Sequence, residues 1–169
     1  MTPVRVVLAD DHVLLRAGLR KLVEAVDGVT VVGEANDGLS LLALAQELQP
    51  DLVMMDISMP VLNGLEAAAR LAKSMPRTKV LMLSMHQSEE YVRQALRFGA
   101  SAYLLKDAAP VELELAIRAV LRGETYLSPA VSRSVVSDYV QRLRDEPASG
   151  TGLTPRQTEV LQLIAEGLS

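Results

Sequence analysis

Cysteine is absent from this 169-residue chain, which excludes disulfides and thiolate metal sites. Aromatic residues are scarce, with no Trp and a single Phe, so the core must be built from aliphatic side chains. No apolar run approaches the roughly 18 residues of a membrane span, and the charged residues Asp10 and Asp11 come too early for a signal peptide. The missing apolar run predicts no membrane partner. Because a chain without cysteine suits a reducing compartment, we expect a cytoplasmic protein.

An excess of positive charge is also missing. The formal net charge is −4, which argues against indiscriminate attraction to nucleic acid. The C-terminal part, 123–169, carries four basic residues against six acidic ones. The sequence therefore predicts no DNA-binding surface in this part of the chain.

Short apolar runs alternate with longer helical patterns through the first 122 residues. The helical stretches repeat apolar residues every three or four positions, as in Leu113, Ala116, Ile117 and Val120. Strands that read as uninterrupted apolar runs are buried on both faces, which predicts a parallel sheet covered by helices. We therefore predict a doubly wound, flavodoxin-like α/β fold: a five-stranded parallel sheet in the order 2-1-3-4-5, with a helical C-terminal extension. The strands are predicted at 4–8, 29–35, 52–56, 79–84 and 102–105.

Composition divides the chain into three parts. Residues 1–122 form the predicted α/β domain, and residues 123–152 form a linker with a helix near 130–144. The last part, 153–169, opens with a capping box at Thr154 that has Pro at the first helical position. It predicts one further helix whose packing partners are not in the sequence.

Polar side chains follow the predicted strands at the edge of the sheet where ligands bind. In open α/β sheets this edge is formed by the carboxyl ends of the strands. Asp10 and Asp11 follow the first strand, and Asp56 ends the third. Ser84 ends the fourth strand and Lys106 follows the fifth. Three converging carboxylates raise each other's pKa, and a hard divalent cation, Mg²⁺, relieves that repulsion.

These groups together are suited to phosphoryl transfer. A carboxylate can attack phosphorus to give a mixed anhydride. Mg²⁺ and Lys106 can neutralise the transferring oxygens, and Ser84 can donate a hydrogen bond to the bound group. Each residue alone is an ordinary turn, strand end or surface residue, and their occurrence together on one edge carries the interpretation. The only histidines, His12 and His86, are interpreted as edge residues with local hydrogen bonds, because neither has the partners of a zinc site.

Five motifs resemble bacterial two-component response regulators of the NarL/FixJ type, and they occur in the order VVLADDH, LVMMDISMPVLNGLEAA, VLMLSMH, AYLLKDA and LTPRQTEVLQLIAEGLS. The resemblance implies a receiver domain that takes a phosphoryl group from a sensor histidine kinase. It also implies a homodimer on phosphorylation and control of transcription by the full-length protein. Residues 153–169 resemble the first helix of a LuxR-type helix-turn-helix domain whose recognition helix is missing, so we expect DNA binding only through that missing C-terminal part.

The resemblance also implies a role for each acid of the site. Asp56 is the expected phosphoacceptor. Asp11 is the expected direct Mg²⁺ ligand and Asp10 a water-mediated one, while Asp56 and the backbone carbonyl of Ser58 complete the protein contacts of the metal.

Further roles follow from the same resemblance. Lys106 and Ser84 are expected to bind the phosphoryl group, and Ser84 and Tyr103 to form a switch pair. Ser58 and His86 are candidate modulators of dephosphorylation. In many receivers a proline in a cis bond follows the active-site lysine, whereas this sequence has Asp107; the geometry of that peptide bond stays open.

Three other functions are compatible with a fold of this class. A phosphatase or phosphotransferase acting on small substrates usually has a second acid two residues after the nucleophile, where this chain has Ser58. A flavin-binding module would need a phosphate loop after the first strand, and Asp10 and Asp11 would repel a phosphate there. The third is a receiver that serves only as a docking module. The dimer surface is also open. Residues off the predicted core stripes are either plain surface or an interface: Leu14 on the first helix, and Leu115, Ala119, Arg118 and Arg122 on the fifth.

Overall fold

The computed structural model describes residues 2–145 together with residues 160, 163 and 164. Strands and helices alternate along the chain, and a short 3-10 helix at Lys106–Ala108 precedes the fifth helix. The strands are β1 (Val4–Ala9), β2 (Val29–Ala35), β3 (Leu52–Asp56), β4 (Lys79–Ser84), β5 (Ala102–Leu105) and β6 (Tyr126–Leu127). The helices are α1 (Val13–Glu24), α2 (Gly38–Leu48), α3 (Gly64–Ser74), α4 (Glu89–Arg97), α5 (Ala109–Leu121) and α6 (Pro129–Asp145).

All strand pairs of the sheet are parallel, and the strand order is β2-β1-β3-β4-β5-β6. This confirms the predicted order of the first five strands. The sequence did not predict β6, which has two residues and pairs Tyr126 with Ala102 and Leu127 with Tyr103. A strand this short carries no periodicity, so no pattern in the sequence identifies it.

Each face of the sheet is covered by its own hydrophobic cluster. Val7, Met55 and Met82 point to the face covered by α2, α3, α4 and α6. Val6 and Leu8, which alternate with them along the strands, point to the face covered by α1 and α5. The side chains are largely aliphatic, as the composition required. The strands are therefore packed between two helical layers, which fixes the positions of the residues at their carboxyl ends.

Helix α3 begins directly beside the end of β3. The Asn63 side chain caps the helix by accepting a hydrogen bond from the backbone N–H of Glu66 at 2.9 Å. Gly64, the first helical residue, lies so close to β3 that a Cβ atom there would be 2.2 Å from the Asp56 carbonyl oxygen. The backbone N–H of Gly64 also donates to the Ile57 carbonyl at 2.8 Å. This contact fixes the loop after Asp56.

The peptide bond between Lys106 and Asp107 is trans, because the described residues contain no cis peptide bond. This settles the geometry that the sequence left open.

Among the described residues, none of the helices combines the length and the apolar character that crossing a membrane requires.

The segment after α5 packs on the sheet and on α4. A salt bridge joins Arg142 on α6 to Glu89 on α4, with 3.7 Å between the guanidinium and the carboxylate. Ile164 is only 4 % exposed and belongs to the same hydrophobic cluster as Val131 and Val135 of α6. Val160 packs against that cluster. The predicted PASGTG break at 147–152 lies outside the described residues, as does most of the predicted helix at 153–169.

Candidate functional site

Two buried acids stand side by side where β1 and β3 end. Ala9 pairs with Met55 in the register of these strands, which brings the next residues, Asp10 and Asp56, to the same edge of the sheet. Their side chains are buried, with Asp10 1 % and Asp56 3 % exposed. Asp11 is more exposed, and it contributes a third carboxylate. Ligand atoms of these three acids and of His12 all lie within 4.8 Å of one another.

Lys106 provides the positive charge of the site. It follows β5, and its ammonium nitrogen lies 2.8 Å from Asp56 Oδ2 and 3.1 Å from Asp10 Oδ2. The Lys106 side chain is only 7 % exposed. Burial lowers the pKa of Lys106, but the two carboxylates outweigh it and raise the pKa above its usual value. The lysine is therefore a fixed cation beside both buried acids.

Asp56 is held in an environment that makes its charge costly. Burial raises the pKa of this carboxyl, while the hydrogen bond and charge of Lys106 and a backbone hydrogen bond lower it, and the net direction is upward. The backbone bond comes from the Ser58 N–H, which donates to Asp56 Oδ1 at 3.1 Å. One oxygen of Asp56 thus faces the lysine and the other faces the loop that leads to α3.

Asp10 retains unused capacity to bind a cation. Its Oδ1 accepts a hydrogen bond from the backbone N–H of His12 at 2.8 Å. Its Oδ2 is buried and has no hydrogen-bond partner, although Lys106 approaches it as an ion pair at 3.1 Å. A buried carboxylate oxygen without a directed partner is costly. Together with the neighbouring carboxylates it provides the hard oxygen donors that a divalent cation such as Mg²⁺ requires, so the donor set fits a metal ion.

Ser84 and Tyr103 are connected through the backbone of a third residue. Ser84 ends β4, one position after Leu83, which pairs with Asp56. Its hydroxyl oxygen accepts a hydrogen bond from the His86 N–H at 2.9 Å. The Tyr103 hydroxyl donates to the His86 carbonyl at 2.7 Å. Burial raises the pKa of Tyr103, so the phenol remains a neutral donor at physiological pH.

The two histidines differ in their relation to the site. The His86 ring stacks on the ring of Tyr91, with centroids 4.4 Å apart, and its backbone makes the local hydrogen bonds just described. The His12 ring lies among the acids, with Nδ1 3.0 Å from Asp10 Oδ1 and 3.2 Å from Asp11 Oδ1. These local hydrogen bonds agree with the interpretation of His12 from the sequence as an edge residue.

The structure thus brings most of the predicted site residues to one edge of the sheet. Asp10, Asp11, Asp56 and Lys106 form one cluster. Ser84 lies on the strand next to Asp56, and the other predicted residues lie nearby: Tyr103 is buried behind the edge, and Ser58 and His86 are exposed on the loops after β3 and β4.

Comparison with known proteins places this geometry in context. The family model of the response regulator receiver domain matches residues 6–118. An uncharacterized transcriptional regulatory protein of Bacillus subtilis, YxjL, is 41 % identical over 167 residues, which cover 98 % of this chain and 77 % of the relative.

Solved structures of regulators are similar as well. A LuxR-family two-component response regulator from Aurantimonas superposes with a TM-score of 0.79 at 35 % identity, covering 82 % of this chain and 99 % of that one. A structure of two RcsB dimers bound to two parallel DNAs superposes with a TM-score of 0.74 at 27 % identity, covering 98 % of this chain and 78 % of that one.

Proposed function

The chain belongs to the response regulators of two-component signal transduction, and from that premise we propose that Asp56 is its phosphoacceptor. The donor is a phosphohistidine of a sensor histidine kinase. One observation carries the assignment: Asp56 is buried at the end of β3, and its Oδ2 is nearer to the Lys106 ammonium, at 2.8 Å, than Asp10 Oδ2 is, at 3.1 Å. Asp10 is instead held by the His12 backbone, and Asp11 lies further out toward solvent.

The chemistry follows from the groups around Asp56. An oxygen of the Asp56 carboxylate attacks the phosphorus, and the bond between phosphorus and the donor imidazole nitrogen breaks. Asp10, Asp11, Asp56 and the Ser58 carbonyl would hold Mg²⁺, which when bound supplies charge neutralisation for the phosphoryl oxygens. Lys106 contributes a second positive charge, because its ammonium already lies 2.8 Å from the acceptor carboxylate.

The switch that follows phosphorylation is proposed to run through Ser84 and Tyr103. Both side chains make hydrogen bonds to the backbone of His86: the Ser84 hydroxyl accepts from its N–H, and the Tyr103 hydroxyl donates to its carbonyl. A phosphoryl group on Asp56 offers the Ser84 hydroxyl a charged acceptor, which is stronger than a neutral partner. When the Ser84 hydroxyl turns toward the phosphoryl group, the His86 N–H loses its acceptor. The His86 backbone can then move, which changes the hydrogen bond between its carbonyl and the Tyr103 hydroxyl. The bistable element is therefore the β4–α4 loop.

The remaining assignments belong to the same proposal. The protein acts in the cytoplasm. It is not a metabolic enzyme, because the residue two positions after the acceptor is Ser58 and not the second acid that such an enzyme usually carries. Ser58 and His86, both exposed beside the site, modulate dephosphorylation. The receiver spans 1–122, the linker 123–152 and the beginning of a LuxR-type domain 153–169, and the full-length protein contacts DNA through the rest of that domain.

A phosphorylation assay tests the acceptor. Incubation with acetyl phosphate and Mg²⁺ is expected to add one phosphoryl group, detected by intact mass, and Asp56→Asn is expected to abolish it. Asp51→Asn is the matched control, because Asp51 is an exposed acid that binds the Arg5 N–H away from the site. Labelling of Asp10 or Asp11 in the native chain, or full labelling of the Asp56 variant, would contradict the assignment.

Dimerisation on phosphorylation is also proposed, and RcsB dimers on DNA provide a precedent in the family. Leu14 on α1 is 89 % exposed, and Leu115 on α5, a helix in contact with α1, is exposed too. The expectation that Ala119 lies on this surface is wrong, because its side chain is buried. Sedimentation with and without beryllofluoride is expected to detect a shift to a dimer that Leu14→Arg prevents. Leu143→Arg, at an exposed leucine of α6, is the control and should still dimerise. A chain that stays monomeric at high concentration would refute the proposal.

A further inference from the structure

We propose that Arg16 is a positioning residue for the phosphorylation reaction: it fixes the peptide unit between Asp10 and Asp11 and so sets the direction in which their carboxylates face the metal ion. In this role Arg16 touches neither the ion nor the phosphoryl group. The role rests on the metal site of the proposed function, and it makes that site depend on a residue outside the acidic cluster.

The Arg16 side chain reaches the end of β1 from the first turn of α1. Its backbone N–H donates to the His12 carbonyl at 2.9 Å and closes that turn. Side chains of a helix lean toward its N-terminus, which directs the guanidinium back to the end of the strand. There Arg16 Nη1 donates to the Asp10 carbonyl at 2.6 Å. The side chain is only 18 % exposed, and a hydrogen bond from a charged donor is stronger than one between neutral groups.

Asp10 is held at three separate points. Its N–H donates to the Ala35 carbonyl of β2 at 3.1 Å. Its side-chain Oδ1 accepts from the His12 N–H at 2.8 Å, and its carbonyl accepts from Arg16. The bond from Arg16 is the one that fixes the plane of the peptide unit leading to Asp11.

Asp11 depends on this peptide unit more than Asp10 does. Its carboxylate is 36 % exposed and lies 3.2 Å from His12 Nδ1, in a side chain that is 64 % exposed. A contact between side chains this exposed contributes little. The carboxylates of the cluster also repel one another before a cation binds. The direction of Asp11 is therefore set by the backbone that precedes it, which Arg16 holds.

The charge of Arg16 is compensated away from the acidic cluster. Arg16 Nε donates to Glu34 Oε1 at 3.1 Å. Arg20 donates to the other oxygen of Glu34 at 2.7 Å and pairs with Glu24 at 3.3 Å. Two arginines and two glutamates thus form a network without net charge, so Arg16 holds Asp10 with little repulsion of a divalent cation.

Arg20 provides a matched control for a test of Arg16. Both arginines bind Glu34, but of the two only Arg16 donates to Asp10. Replacement by Met keeps the long apolar stem of the side chain and removes the guanidinium. In Mg²⁺ titrations of the full chain we expect Arg16→Met to bind about tenfold more weakly than the native chain, because residues that hold a metal ligand in place contribute about 10–100-fold to affinity. Arg20→Met should bind Mg²⁺ as the native chain does.

Nuclear magnetic resonance without Mg²⁺ separates positioning from a general loss of stability. The amide ¹⁵N of Asp11 is bonded to the carbonyl carbon that Arg16 holds, so its chemical shift reports the bond between Arg16 and Asp10 directly. This shift should change in Arg16→Met and stay native in Arg20→Met, whatever the Tm of either variant.

Two results would overturn the positioning role. One is native Mg²⁺ affinity in Arg16→Met, and the other is an equal loss of affinity in Arg20→Met, which would trace the effect to the Glu34 network. Either result leaves the proposed function standing, provided that the native chain binds Mg²⁺ and is labelled at Asp56. A native chain that binds no Mg²⁺ would overturn both this role and the metal site of the proposed function.

Discussion

Replacing Gly64 by Ala tests whether the start of α3 positions Asp56, the proposed phosphoacceptor. A Cβ atom at residue 64 would lie 2.2 Å from the Asp56 carbonyl oxygen and 2.9 Å from Ile57 Cα, whereas ordinary contact begins at 3.4 Å. Both obstructing atoms belong to the backbone, so no side-chain rotation relieves the overlap. The end of β3 and the start of α3 must move apart by about 1 Å.

The cost of this movement can be worked out from its size. Overpacking of a well-filled site costs about 1–3 kcal/mol, and we expect Gly64→Ala to reach the upper end because backbone is displaced on both sides. In a chain of this length, about 3 kcal/mol corresponds to a Tm lower by roughly 6–12 °C. A 1 Å misplacement of a reacting group can cost about 100-fold in rate, so phosphorylation of Asp56 should slow by a comparable factor.

Thermal unfolding followed by circular dichroism and the rate of labelling by acetyl phosphate measure the two effects. Gly18→Ala is the matched control, because Gly18 is exposed on α1 and an added Cβ meets no atom within 4 Å. That change should stabilise the helix by about 1 kcal/mol and leave labelling unchanged. A Gly64→Ala protein with native Tm and native labelling would refute the reasoning.

Three more substitutions probe the surroundings of the site. Tyr103→Phe removes the hydrogen bond to the His86 carbonyl and should cost about 1 kcal/mol in urea unfolding; native stability would contradict the role of this bond. Glu89→Gln should change the pH dependence of stability: burial and the neighbouring Asp138 raise the pKa of the Glu89 carboxyl, so the folded state binds the proton more readily and stability falls as pH rises through the window above the ordinary pKa. The Glu89→Gln variant should lose this dependence of the free energy of unfolding on pH, measured by unfolding at several pH values. The same pH dependence in the variant and the native chain would exclude a contribution from Glu89. Asn63→Ala removes the cap of α3 and should cost about 1 kcal/mol, measured against the native chain by thermal unfolding.

The sheet was predictable because its strands are continuous apolar runs. Residues 52–56 read as a strand buried on both faces, and every one of them is buried in the structure. The edge cluster followed from the same pattern, since parallel strands bring their carboxyl ends together. The sequence alone therefore predicts that Asp10, Asp56 and Lys106 meet.

Other features depend on contacts that no local pattern encodes. Strand β6 exists because Tyr126 and Leu127 pair with β5, and two residues are too few for a periodic signal. The link between Ser84 and Tyr103 runs through the backbone of His86, whose path depends on how the loop after β4 packs. The distance from the His12 ring to the acids depends on a side-chain rotamer, which sequence spacing does not specify.

Ser128, which directly follows strand β6, connects the C-terminal segment to the strand of the proposed switch residue Tyr103. Ser128 is buried, its N–H donates to the Tyr103 carbonyl at 3.0 Å, and its hydroxyl oxygen accepts from the Leu105 N–H at 3.1 Å. These bonds close the edge of β5, which would otherwise present unpaired backbone groups to other chains. Ser128 thus links the start of α6 directly to β5, the strand that carries Tyr103, so the C-terminal segment and Tyr103 share one set of backbone contacts.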